Sequence, residues 1–173
     1  MIDSVGPSVI MFNKSDHVVM SDVSACGTCS FCRKQMYSHC IDGGWILGKM
    51  VDGTQLECEC TPFANMSLYH LPKGANEEAL VMLSDILPTG FECGVLNGNV
   101  APGSTVAIVG AGPVGLAALL TAQFYSPASI IMIDLDDNRL AVAKKFGATA
   151  TVNSSGGIAA TFELCEQIVA ARG

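Results

Sequence analysis

Thr105-Val106-Ala107-Ile108-Val109-Gly110-Ala111-Gly112-Pro113-Val114-Gly115, continued by an Ala/Leu-rich run to Phe124 and then by Ile130-Ile131-Met132-Ile133-Asp134, is the stretch that decides the fold. The β-branched run reads as a buried strand, the glycines as a turn, and the Ala/Leu run as a helix; a second apolar strand then ends in an acid. Outward from there, Asp136 caps a helix predicted over Asp137 to Phe146 that Gly147 ends, and Thr149 to Val152 forms a third strand. Beyond Gly157, Ile158, Phe162, Cys165 and Val169 recur at helical spacing and predict a last amphipathic helix. This β-α-β-α-β alternation implies an α/β fold with a parallel sheet, because each crossover helix starts the next strand in the same direction.

Gly110-Ala111-Gly112-Pro113-Val114-Gly115 matches G-x-G-x-x-G, a weak motif alone that gains weight between a strand and a helix. Gly110 permits the tight turn, Gly112 lets backbone approach a pyrophosphate, and Gly115 lets helix pack on strand. Phosphates would then meet the helix N-terminus. Asp134, a little over twenty residues on, is placed to accept hydrogen bonds from ribose hydroxyls and to repel a 2'-phosphate, which favours NAD over NADP. The bland alternative is a strand-turn-helix that binds nothing.

Upstream, Asn76 caps a helix predicted over Ala79 to Leu87, with Glu77 and Glu78 in its positive first turn. Pro88 and Gly90 are expected to interrupt it, and a second helical stretch to run from Phe91 to Leu96. Before Leu71 the chain is irregular and turn-rich, a texture that needs outside support. Four of the eight cysteines, Cys26, Cys29, Cys32 and Cys40, fall within one short loop there. Four thiolates complete a tetrahedron with no open position, so a metal there is structural. A [4Fe-4S] cluster and unligated thiols remain alternatives, but the spacing before Cys40 and the Ile41 after it differ from the bacterial ferredoxin run, which favours zinc. Cys58, Cys60, Cys93 and Cys165 read as free thiols.

The chain has 173 residues, half of them apolar, and a formal net charge of −7. It is long enough to bury a core and too apolar for disorder. Acidity without a basic cluster argues against nucleic acid and anionic membranes, and Arg33 and Lys34 alone do not make the cysteine loop a nucleic-acid reader. Thr105 to Ala122 would pass a hydropathy test for a membrane span, but its glycines divide it into strand, turn and helix. No basic residue precedes an apolar stretch at Met1 to Met11, so a cytoplasmic protein without a secretory signal is expected.

Together, the cysteine loop and the glycine fingerprint resemble the zinc-dependent medium-chain alcohol dehydrogenase family, in its secondary-alcohol branch. Asp16-His17-Val18, Gly43-Gly44-Trp45-Ile46-Leu47-Gly48, Asp52-Gly53-Thr54-Gln55 and Leu83-Ser84-Asp85-Ile86-Leu87-Pro88-Thr89-Gly90 extend the resemblance from about Asp16 to Ser154. It implies three regions: 1–75, part of a GroES-like catalytic domain with an irregular, β-rich structural-zinc loop; 76–100, linking helices; and 101–173, the first half of a Rossmann NAD-binding domain. It also implies structural zinc on Cys26, Cys29, Cys32 and Cys40, Asp85 as a ligand of a catalytic zinc, Thr89 beside the nicotinamide, and Arg139 near the adenosine ribose. The activity implied is oxidation of a small alcohol to a ketone or aldehyde with NAD, in an enzyme that commonly forms dimers or tetramers. Members of the family are about twice as long, so a chain shortened at both ends is expected. The alternative is a zinc- and nucleotide-binding remnant without turnover, since one carboxylate cannot hold a catalytic zinc that needs three protein ligands.

Overall fold

The computed structural model describes residues 1–170. The chain forms two compact units, one of Met1–Asp85 and one that begins at Ile86.

The first unit is mostly turns. Strands β1 (Val18–Met20) and β2 (Leu68–His70) pair antiparallel with Val19 opposite Tyr69, and a short helix α1 (Ala64–Ser67) leads into β2. Isolated bridges join Ser24 to Gly44 and Leu47 to Val51. Its hydrophobic centre is small: Ala25, Cys32 and Cys40 are buried together, with Cys26 and Cys29 packed on them. Trp45, by contrast, is exposed. Helix α2 (Glu77–Leu80) starts where expected, with the Asn76 side chain accepting from the Ala79 N–H at 3.2 Å.

The helix expected over Ala79 to Leu87 is not continuous. A 3-10 turn, Val81–Leu83, follows α2, and helical structure resumes in α3 (Ile86–Thr89). Pro88 therefore does not break a helix; it lies in the first turn of one, where a missing N–H leaves no intrahelical bond unmade. Nor does Gly90 end it, because the chain continues as a seven-residue π-helix, Gly90–Leu96. A Cβ on Gly90 would lie 2.6 Å from the Ala117 Cβ and 2.7 Å from the Ala118 nitrogen, so glycine is there for close helix approach.

The second unit is a three-stranded parallel sheet in the order β3 (Thr105–Val109), β4 (Ser129–Asp134), β5 (Ala150–Asn153), as the alternation of apolar runs required. Helix α4 (Pro113–Ala122) follows β3, and α5 (Asp137–Lys145) follows β4. On one face, Ile130 and Met132 pack with Leu119, Ala122, Leu140 and Ala143. On the other, Ile131, Ile133 and Val152 pack with Cys165 and Ile168 of α6 (Ile158–Ala170). Central β4 is covered on both faces, whereas β3 turns Ala107 and Val109 outward. Helix α6 exists as expected but on a different stripe: Ile158, Phe162 and Val169 are exposed, and Cys165 is the one residue of the expected stripe that packs on the sheet. The uncharged run that passes for a membrane span is divided between β3, the glycine turn and α4, and no single described helix is long and apolar enough to cross a membrane.

Candidate functional site

The cysteine loop is wound by local geometry. Gly27 adopts φ +77, Cys32–Lys34 forms a 3-10 turn closed by left-handed Gln35, and a second turn, Tyr37–His39, carries Cys40 back to the start. The ligand atoms of Cys26, Cys29, Cys32 and Cys40 all lie within 4.8 Å of one another, with Cys26 Sγ 4.0 Å from Cys32 Sγ. Four sulfurs at about 2.3 Å from a tetrahedral zinc stand about 3.8 Å apart, so the cluster needs only a small contraction to hold one. Among the described residues this is the one group of three or more converging metal-ligating side chains.

Backbone donors around the sulfurs favour thiolates. The Cys26 N–H donates to Cys40 Sγ at 3.3 Å and the Cys32 N–H to Cys29 Sγ at 3.5 Å. Chiefly through the Cys32 N–H, and then that of Ile41, the Cys29 thiol is held down at about 6. Cys26 is lowered as well, first by the Thr28 N–H and then by the Thr28 hydroxyl, 3.5 Å from its sulfur. Burial, and then the neighbouring thiols, push Cys32 up to about 12. The loop is thus built to ionise its sulfurs and too crowded to ionise all of them unaided, a conflict that a divalent cation removes. Thr28 and Ile41 carry no motif and escape a reading of the sequence; the only local hint is Gly27, whose left-handed turn begins the wrap.

The glycine turn is equally specific. Gly110 sits at φ +96 and donates its N–H to the Ile133 carbonyl at 2.7 Å. Gly112 caps α4 with an ordinary φ of −78, followed by Pro113 at the first turn and a partly exposed Val114. A Cβ on Gly112 would meet nothing within 4 Å, so neither backbone angle nor internal packing demands glycine there. The open space there leaves room for a phosphate chain to approach the backbone. Gly115 differs, since a Cβ on it would run into the Gly110 carbonyl oxygen.

Asp134 closes the turn from the end of β4. Its Oδ2 accepts from the Ala111 N–H at 2.6 Å and its Oδ1 from the Asp136 N–H at 2.9 Å. Those bonds, the Ala111 one foremost, together with the charge of Arg139, hold its carboxyl below the usual carboxylate range. The structure therefore brings Gly110, Ala111, Gly112 and Asp134 together, with Arg139 on α5 within electrostatic reach. Asp85 and Thr89 are both half-buried, Thr89 at the end of α3, and Asp85 stands outside the cysteine cluster. The histidines bond away from both sites: His17 Nδ1 lies 2.6 Å from Glu77 Oε1, His70 Nε2 donates to the Met11 carbonyl at 3.1 Å, and His39 Nδ1 lies 3.1 Å from Ser38 Oγ.

No protein-family model matches the chain. Among characterised proteins, the medium chain reductase/dehydrogenase ucsI of Acremonium sp is 34% identical over 149 residues, which are 83% of this chain and 51% of that protein. Among solved structures, zinc dependent alcohol dehydrogenase 2 of Streptococcus pneumonia superposes with a TM-score of 0.84 and 57% identity, covering 89% of this chain and 43% of the other. An alcohol dehydrogenase of E. coli CFT073, solved with NADH, superposes with a TM-score of 0.77 at 26% identity, covering 95% of this chain and 48% of the other. The chain spans about half, or less, of the length of the relatives it matches. Fold, cysteine loop and relatives converge on one assignment: over the length it has, this chain belongs to the zinc-type medium-chain alcohol dehydrogenases.

Proposed function

We propose that the chain carries the structural-zinc loop and nucleotide-binding region of a zinc-dependent, NAD-linked alcohol dehydrogenase, which oxidises a primary or secondary alcohol to an aldehyde or ketone. The convergence of four sulfurs in one loop, upstream of a glycine turn closed by Asp134, carries this reading. In it, 1–75 belongs to a GroES-like catalytic domain, 76–100 to linking helices, and 101–173 to a Rossmann nucleotide-binding domain.

Cys26, Cys29, Cys32 and Cys40 would hold the structural zinc. When bound, a catalytic zinc supplies a Lewis acid for the alcohol oxygen and the nicotinamide supplies the hydride acceptor. Gly110, Gly112, Pro113, Val114 and Gly115 shape a cradle whose helix N-terminus faces the pyrophosphate. Each Asp134 oxygen keeps a lone pair beyond its backbone bond, so the carboxylate can take the ribose hydroxyls without releasing the turn. Arg139 would meet that ribose, Thr89 would flank the nicotinamide, and Asp85 would be one ligand of the catalytic zinc. A cytoplasmic location suits a loop of reduced thiols.

A second reading is a chain that binds zinc and the ADP half of NAD without turnover. It is favoured because, among the described residues, no second converging group of three metal-ligating side chains forms besides the four cysteines, whereas a catalytic zinc needs three protein ligands. Elemental analysis combined with an assay of alcohol-dependent NADH formation separates the two. About one zinc per chain with NAD binding and no NADH supports the second; about two zincs with NADH supports the first. Folded protein without zinc overturns both.

A further inference from the structure

Cys58 and Cys60 take no part in the site described above. Both are exposed, both are free thiols, and both line one cavity of about 460 Å³ in the first unit. Leu56 to Thr61 belongs to no helix or strand, so no sheet ladder holds its backbone. A metal is not what this pair is arranged for: the flanking Glu57 and Glu59 would be the natural further ligands, yet with the two cysteines they form no converging group.

A pair of cysteines two residues apart suits disulfide chemistry instead. Extended backbone separates such Cα atoms by about 6.6 Å, within the range a disulfide spans, and an unpaired segment can bend closer. We propose that Cys58 and Cys60 form a redox-modifiable dithiol, separate from the zinc loop, that small-molecule disulfides convert to an intramolecular disulfide. One thiolate attacks a sulfur of the small disulfide, giving a protein mixed disulfide and one small thiol. The second cysteine, as thiolate, then attacks the protein-side sulfur, closing the Cys58–Cys60 bond and releasing the second small thiol. Two protein thiols lose two electrons and two protons, and the small disulfide gains them. The thiols of the loop are shielded by one another and by any metal they hold, whereas Cys93, exposed and alone, can progress no further than a mixed disulfide.

The test treats the zinc-loaded full chain with oxidised glutathione, blocks remaining thiols by alkylation, and maps peptides by mass spectrometry. The expected peptide containing Cys58 and Cys60 has lost two hydrogens and carries neither glutathione nor alkyl group, while Cys93 carries one or the other. In Cys60→Ser and Cys58→Ser, the remaining cysteine should retain its glutathione. Stable glutathione on both residues of the unaltered chain, alkylation of both, or pairing of either with a cysteine of the loop or of another chain would each overturn the proposal. Retained zinc, counted in parallel, shows that the fold around the loop survived.

Discussion

Asp134 concentrates the chemistry of the second unit in one side chain. It accepts from Ala111 and Asp136 in the chain itself and, in the proposed function, from the nucleotide ribose. Asp134→Asn removes the charge and turns one acceptor into a donor. NAD affinity should fall about tenfold or more, since a hydrogen bond to a charged group contributes about 1.5–3 kcal/mol, and preference over NADP should narrow; calorimetric titration with both nucleotides checks this. The same residue sets an acid limb. A carboxyl held lower in the folded than in the unfolded chain adds stability above its unfolded value, about 3.9, and loses it as pH falls through the folded one. Stability of the second unit should therefore decline below about pH 4, and the decline should flatten in Asp134→Asn, as read from denaturant midpoints across that range. The place of Asp134 at the end of the second strand was legible from its spacing after the glycines; its bond to Ala111 was not, because that depends on where β4 ends against the turn.

At the scale of elements, legibility followed periodicity. β3 and β4 were readable because Val106 to Val109 and Ile130 to Ile133 are unbroken apolar runs between turn residues, and α5 because Asp136 and Gly147 punctuate it. The helical stretch expected from Phe91 to Leu96 is present, but the break before it was misread because Pro88 and Gly90 look like breakers in one dimension, while their places are set by the helix start and by Ala117. α6 shows a related limit: helical spacing through Cys165 permits more than one stripe, and the sheet face formed by Ile131, Ile133 and Val152 selects the one containing Ile168. Gly90→Ala tests the close approach directly. The added methyl must push apart the π-helix and α4, which should cost about 1–3 kcal/mol. Leu119→Ala, on the buried face of the same α4, should cost about 2–5 kcal/mol by opening a cavity. Chemical denaturation with an unchanged slope would place both losses in the folded state.

Across the whole molecule, the two units bury different material. The second has aliphatic clusters on both faces of its sheet; the first gathers Ala25 and the four loop cysteines into its hydrophobic centre. A unit organised around sulfurs that repel one another when ionised should depend on its cation far more than one organised around Leu119, Ile130 and Met132. Removing zinc with a chelator is therefore expected to act on one unit. Peptides spanning Cys26 to Cys40 and β1 should lose amide hydrogen-exchange protection, while those spanning β4 and α4 keep theirs. Cys40→Ser should reproduce this pattern without chelator, because three thiolates hold zinc less tightly than four and the exposed turn Tyr37–His39 loses the buried sulfur that follows it. Equal loss of protection in both units would mean that the sulfur cluster stabilises the chain as a whole. No loss anywhere, in protein shown to have released its metal, would mean that hydrogen bonds such as that from Cys26 N–H to Cys40 Sγ suffice to hold the loop.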